Sequence, residues 1–162
     1  MISQALIDSV AELLTDKGLT ISTAESCTGG LLGHVLTSVS GSSAYFDRGI
    51  ISYTNEAKHE LLGVSTTDLD QYGAVSEQVA KAMCEGVRTH ARTDIGVSTT
   101  GIAGPMGGTK EKPVGLVYIG VSIKNKTIVK RFVFPGTRLE NKDETCVQAL
   151  HLIKKIVSEM DL

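Results

Sequence analysis

A chain of 162 residues, 41% hydrophobic and 21% charged, has the length for one domain with a core of its own, and its composition excludes disorder and fibrous repeats. A formal net charge of -2 excludes the broad basic field by which proteins hold nucleic acid. No apolar run reaches the roughly 18 residues of a bilayer span, and Asp8, Glu12 and Asp16 stand where an export signal is basic and then apolar, so a cytoplasmic chain without a membrane partner is expected.

Ile2, Ala5, Leu6, Val10, Leu13 and Leu14 recur at helical spacing and predict an amphipathic helix over 2–17, closed by Lys17-Gly18. The β-branched alternation of 19–23 predicts a strand, followed by the turn Ala24-Glu25-Ser26-Cys27-Thr28-Gly29-Gly30 and a helix over 31–39. A second strand over 49–53 leads to Asn55, the expected N-cap of a short helix over 56–62 that stops at Gly63. Ser76 opens a longer helix through Arg88, and 94–99 is the next strand, running into glycines. Segments 116–123 and 127–134, joined through Lys124-Asn125-Lys126, read as an antiparallel hairpin. From Asn141 or Lys142 onward, Val147, Leu150, Ile153, Ile156 and Val157 mark a final amphipathic helix.

Helices alternating with strands, and a hairpin entering late, predict a three-layer α/β/α sandwich with a mixed, mostly parallel sheet, filling 1–162 as a single domain. Ligands in such sheets bind at the carboxyl ends of the strands. The turns after residues 23, 53 and 99 all leave strands in that sense and are expected to converge.

Three cysteines, Cys27, Cys84 and Cys146, form no close pair, and His34, His59, His90 and His151 are scattered, so neither a disulfide framework nor a metal centre is expected. The reactive candidates lie in the first turn. Ser26, Cys27 and Thr28 precede a helix, where unpaired N–H groups favour an anionic nucleophile or an oxyanion, and Gly29 and Gly30 clear side chains from the approach. An ordinary helix cap at Ser26 explains the same pattern. A serine nucleophile needs a base, for which Lys58, desolvated, is the best candidate, with Tyr53 nearby. Cys27 competes as nucleophile, and spacing does not decide between them. The glycine-rich loop 98–108 matches neither a P-loop nor a dinucleotide fingerprint but can present N–H groups to one phosphate or ribose, and Arg138, after Pro135-Gly136-Thr137, can clamp a phosphate.

Taken in order, Thr23-Ala24-Glu25-Ser26-Cys27-Thr28-Gly29-Gly30, Gly41-Ser42-Ser43-Ala44-Tyr45-Phe46, Tyr53-Thr54-Asn55-Glu56-Ala57-Lys58, Gly73-Ala74-Val75-Ser76 and Thr100-Gly101-Ile102-Ala103-Gly104-Pro105 resemble the CinA C-terminal-domain family. Covering nearly the whole chain, they resemble its stand-alone form, the nicotinamide-nucleotide amidohydrolases or nicotinamide mononucleotide deamidases. The resemblance implies hydrolysis of the carboxamide of nicotinamide mononucleotide to nicotinate mononucleotide and ammonia, in pyridine-nucleotide salvage, with no metal or other cofactor, by a homodimer. It implies that Ser26 attacks the amide carbon, with Tyr53 and Lys58 as proton-transfer partners. Ser43 and Thr100 then line the pocket, Arg138 meets the phosphate, and Thr28, Gly29, Gly30 and Gly101 complete the substrate-binding set. Two departures bear on ribose and phosphate contacts: Met106 stands where many relatives have aspartate, and the segment after Arg138 is acidic and lysine-bearing rather than arginine-rich. A non-catalytic nucleotide-binding module and a hydrolase acting through Cys27 are the alternative readings.

Overall fold

The computed structural model describes residues 1–160. β-branched and apolar residues build one five-stranded sheet in the order β2-β1-β3-β4-β5, with β1 Ile21–Glu25, β2 Phe46–Ile51, β3 Ile95–Gly101, β4 Leu116–Ile123 and β5 Lys126–Val133. β1 pairs in parallel with both β2 and β3, whereas β4 runs antiparallel to both β3 and β5. Only β4 opposes the common direction, which is the mixed, mostly parallel sheet that the alternation of elements predicts.

Side-chain alternation along the strands sorts the helices into two layers. Ile21, Ile95, Val97, Val117, Ile119 and Val121 join one core cluster with α1 (Gln4–Lys17), α2 (Leu31–Leu36) and α6 (Arg138–Ser158). On the other face Ala24 meets α3 (Asn55–Leu62), α4 (Thr66–Tyr72) and α5 (Glu77–Ala91). That second face is small and polar. Ser98 Oγ donates to Ala80 O at 2.6 Å and Arg88 Nε donates to Ser122 Oγ at 3.0 Å, and a side-chain carbon on Gly120 would lie 2.7 Å from Ser98 Oγ, so α5 rests almost on the sheet backbone.

Several boundaries differ from the sequence expectation for local reasons. β1 extends to Ala24 and Glu25 because both gain partners on two sides, in β2 and β3. Thr54 rather than Asn55 caps α3, its hydroxyl accepting from Ala57 N at 3.0 Å. The final helix starts at Arg138, three residues early, because Thr137 and Glu140 form a reciprocal capping box. Helix α4, capped by Ser65, was not expected at all; its one buried residue, Leu69, leaves almost no periodic signal. The hairpin, the Ser76 cap and the left-handed Gly18 that ends α1 stand as expected.

Candidate active site

The carboxyl ends of β1, β2 and β3 meet at one edge of the sheet, so the three turns converge. Ser26 N donates to Thr99 O at 2.9 Å and Ser52 N donates to Glu25 O at 2.8 Å, which joins the three chain segments just as they leave the sheet. Ser26, 8% exposed, is thus fixed by its backbone with its hydroxyl turned toward β2 and α3.

Lys58 meets it there. The Thr54 cap starts α3 so that Lys58 falls one turn in, and its side chain folds back under the junction to become 1% exposed. Nζ lies 3.0 Å from Ser26 Oγ, 2.9 Å from Ser52 O and 3.3 Å from Tyr53 O. No carboxylate pairs with it among the described residues. Burial lowers its pKa below the ordinary 10.5, against a smaller upward pull from Cys27. A neutral amine has two N–H donors and one lone pair. With Nζ donating to the two carbonyls, deprotonation would leave its lone pair facing the Ser26 hydroxyl, to which the charged form donates.

Cys27 is in the opposite condition. It is 5% exposed, and burial raises its thiol pKa to about 12, so at neutral pH it is a protonated core residue.

α2 begins at Leu31, where the spacing predicts, but ends at Leu36 rather than 39, and the donors at its start are already taken: Glu25, 1% exposed, accepts from Leu32 N at 2.8 Å and Gly33 N at 2.9 Å, and from Thr28 Oγ1 at 2.5 Å. Ser26 therefore caps nothing, and the helix dipole is answered by Glu25. Thr28, 1% exposed, also places Oγ1 2.7 Å from Thr99 Oγ1, so its hydroxyl serves the turn. Among the described residues, the N–H groups of Thr28 and Gly30 donate to no acceptor. Gly29 and Gly30 adopt φ of +57 and +104, which side chains resist, and this left-handed pair bends the turn.

The remaining candidates divide. Tyr53 is 57% exposed; its carbonyl meets Lys58, but its hydroxyl accepts from Arg138 Nη2 at 3.0 Å. Arg138 also donates from Nη1 to Gly104 O at 2.9 Å, and so bridges α3's approach to the loop after β3. Thr100 is buried and donates to Ala74 O at 2.8 Å, holding the entry to α5. Gly101 is required by β4, since a side-chain carbon there would lie 2.7 Å from Leu116 O. Ser43 is not brought in: it sits in the turn Ser42–Ala44 ahead of β2, at the other end of the sheet, about 15 Å away by strand length.

Sequence reasoning passed over three participants. Glu25 stands in the quoted turn, but its role was hidden because it caps α2 from six residues ahead of that helix, accepting from Leu32 N and Gly33 N. Ser52 acts through its carbonyl, which no side-chain pattern reveals. Asn141 fixes the loop after β3 to α6, its Nδ2 donating to Ala103 O at 3.0 Å and Gly136 O at 3.1 Å while Oδ1 accepts from Gly136 N. Among the described residues, no three His, Cys, Asp or Glu side chains gather to hold a metal ion, and no helix is long and apolar enough to cross a membrane.

Comparison with known proteins bears on the sequence and the fold. The family description "CinA C-terminal domain" matches residues 3–157. A competence-damage inducible protein of Caldicellulosiruptor saccharolyticus is 50% identical over 155 residues, which cover 96% of this chain and 38% of that protein. A similarly named protein of Caldanaerobacter subterraneus is 48% identical over 146 residues, or 35% of its length, so the chain spans little more than a third of these relatives. Among solved structures, competence damage-inducible protein A of Klebsiella pneumoniae superposes at a TM-score of 0.95 with 30% identity, covering 99% of this chain and 100% of that one. CihA of Agrobacterium tumefaciens gives 0.93 with 40% identity, covering 96% and 98%. On sequence and fold together, this chain belongs to the CinA C-terminal domain family.

Proposed function

We propose that the protein is an amidohydrolase that converts nicotinamide mononucleotide to nicotinate mononucleotide and ammonia through Ser26. The observation that carries this reading is the buried Ser26–Lys58 pair, with Nζ 3.0 Å from Oγ and its other bonds spent on two carbonyls. Such a lysine is held ready to take a proton rather than to neutralise a charge.

In the reaction, Lys58 Nζ accepts the Ser26 proton as Oγ bonds to the carboxamide carbon. The oxyanion is met by the unengaged N–H group of Gly30. Collapse breaks the carbon–nitrogen bond, and the proton on Lys58 passes to the departing nitrogen, releasing ammonia and leaving an ester on Ser26. Water then attacks the ester, giving one proton to Lys58, which returns it to Oγ as the carboxylate leaves. Tyr53, held by Arg138, forms the exposed wall of the site, and Arg138 faces the phosphate end of the substrate. Ser43, at the far end of its own sheet, reaches such a site only across an interface between two copies, which the homodimer would supply.

Ammonia release from nicotinamide mononucleotide tests the reading. Ser26→Ala is expected to lose at least about 10³-fold in kcat and Lys58→Met about 10²–10⁴-fold, whereas Cys27→Ala keeps most activity. Loss in Cys27→Ala with survival in Ser26→Ala would overturn the serine assignment. Binding of the nucleotide without any ammonia would instead identify a non-catalytic module.

A further inference from the structure

A mononucleotide carries a phosphate whose charge has to be met, and Arg138 already directs Nη1 to Gly104 O and Nη2 to Tyr53 Oη. A second cation stands beside the turn. A side-chain carbon on Gly29 would lie 3.7 Å from Lys142 Nζ, so the ammonium lies against Gly29. Gly29 N donates to Ser26 O at 3.1 Å, and a turn of that kind holds its end residues within about 7 Å of each other, which puts the ammonium about one ribose-phosphate's reach from the nucleophile.

Lys142 is half-buried and, among the described residues, makes no ion pair or hydrogen bond. The carboxylates of its own helix are otherwise engaged: Glu140 accepts from Thr137 N, Asp143 pairs with the Met1 amino group, and Glu144 accepts from Gln148 Nε2. Glu25, beneath the turn, is saturated by Thr28, Leu32 and Gly33. Lys142 also lies four residues after Arg138 on α6, so both cations share one helix face, and a like-charged pair at that spacing repels unless an anion lies between them.

We propose that Lys142, one helical turn from Arg138, supplies a second cation for the phosphate of the substrate and so sets a preference for the mononucleotide over its riboside. The inference rests on the amidohydrolase reading above, and its test separates the two. kcat/KM is measured for nicotinamide mononucleotide and nicotinamide riboside in the wild type, Lys142→Met and Lys142→Arg. The expected result is a fall of about 10–100-fold in the mononucleotide-to-riboside ratio in Lys142→Met, carried by KM, with recovery in Lys142→Arg. A ratio that stays constant, or a fall equal for both substrates, overturns the proposal. If the wild type hydrolyses neither compound, the amidohydrolase reading fails and the subsite is judged by titration with inorganic phosphate. Binding weakened in Lys142→Met supports the subsite, and binding that is unchanged or undetectable in the wild type overturns it.

Discussion

Lys58 is the proposed base of the reaction, and the surroundings of its buried amine predict a pH dependence. Three oxygens surround Nζ but none is a carboxylate, so burial dominates and the charged form is disfavoured. The folded chain therefore releases this proton more readily than the unfolded chain does. kcat/KM for ammonia release is expected to rise with pH along an acid limb whose pKa lies below 10.5. Stability follows the same sign: between the lowered folded pKa and 10.5 the unfolded state binds more protons, so folding strengthens as pH rises through that window. Lys58→Met should lose that slope. Denaturant melts of both proteins across the alkaline range check it, and parallel stability curves would show that Lys58 is charged in the folded state. Cys27, next to Ser26, illustrates the contrast, since burial raises its thiol pKa to about 12.

At the level of elements, the turn between β1 and α2 depends on Glu25. One buried carboxylate satisfies two N–H groups at the start of α2 and the Thr28 hydroxyl, fixing the stretch that carries Ser26. Glu25→Ala orphans those donors in the interior and is expected to cost about 2–4 kcal/mol in denaturant unfolding. Glu25→Gln, keeping the shape and one acceptor oxygen, should recover part of that loss. A melt of Glu25→Ala indistinguishable from the wild type would mean that the turn holds without it. The opposite face shows a different economy: Gly120, Ser98 and Ser122 leave no bulk on the sheet, and α5 descends onto β3 and β4. Close contact there sets where Ser76 and the Ala74 carbonyl stand, and through Thr100 the rim of the site.

For the whole molecule, the sheet separates Ser43 from Ser26, and this makes the assembly testable. If Ser43 serves the site of a second copy, mixing Ser26→Ala with Ser43→Ala chains should restore ammonia release, because one mixed site keeps both serines. Mixtures no more active than their parts, or a protein that runs as a monomer in light scattering, would remove Ser43 from the site.

The layers of this fold were legible in the chain because helical and strand periodicities record burial directly: the α1 and α6 stripes, the hairpin and the Ser76 cap all fall where local pattern puts them. Ser26 and Lys58 were likewise visible as candidates, by their motifs. Local pattern failed where nonlocal partners rule. Glu25 joins a strand only because β2 and β3 flank it, and it caps α2 from outside that helix. Spacing left Ser26 and Cys27 level and only the resemblance favoured Ser26; that Ser26 faces an amine 32 positions along the chain while burial raises the Cys27 thiol pKa is a tertiary property no local pattern carries. Sequence by itself determined which elements form and which reactive residues are present; packing decided which of them meet, because desolvation and hydrogen-bond satisfaction are properties of the assembled interior.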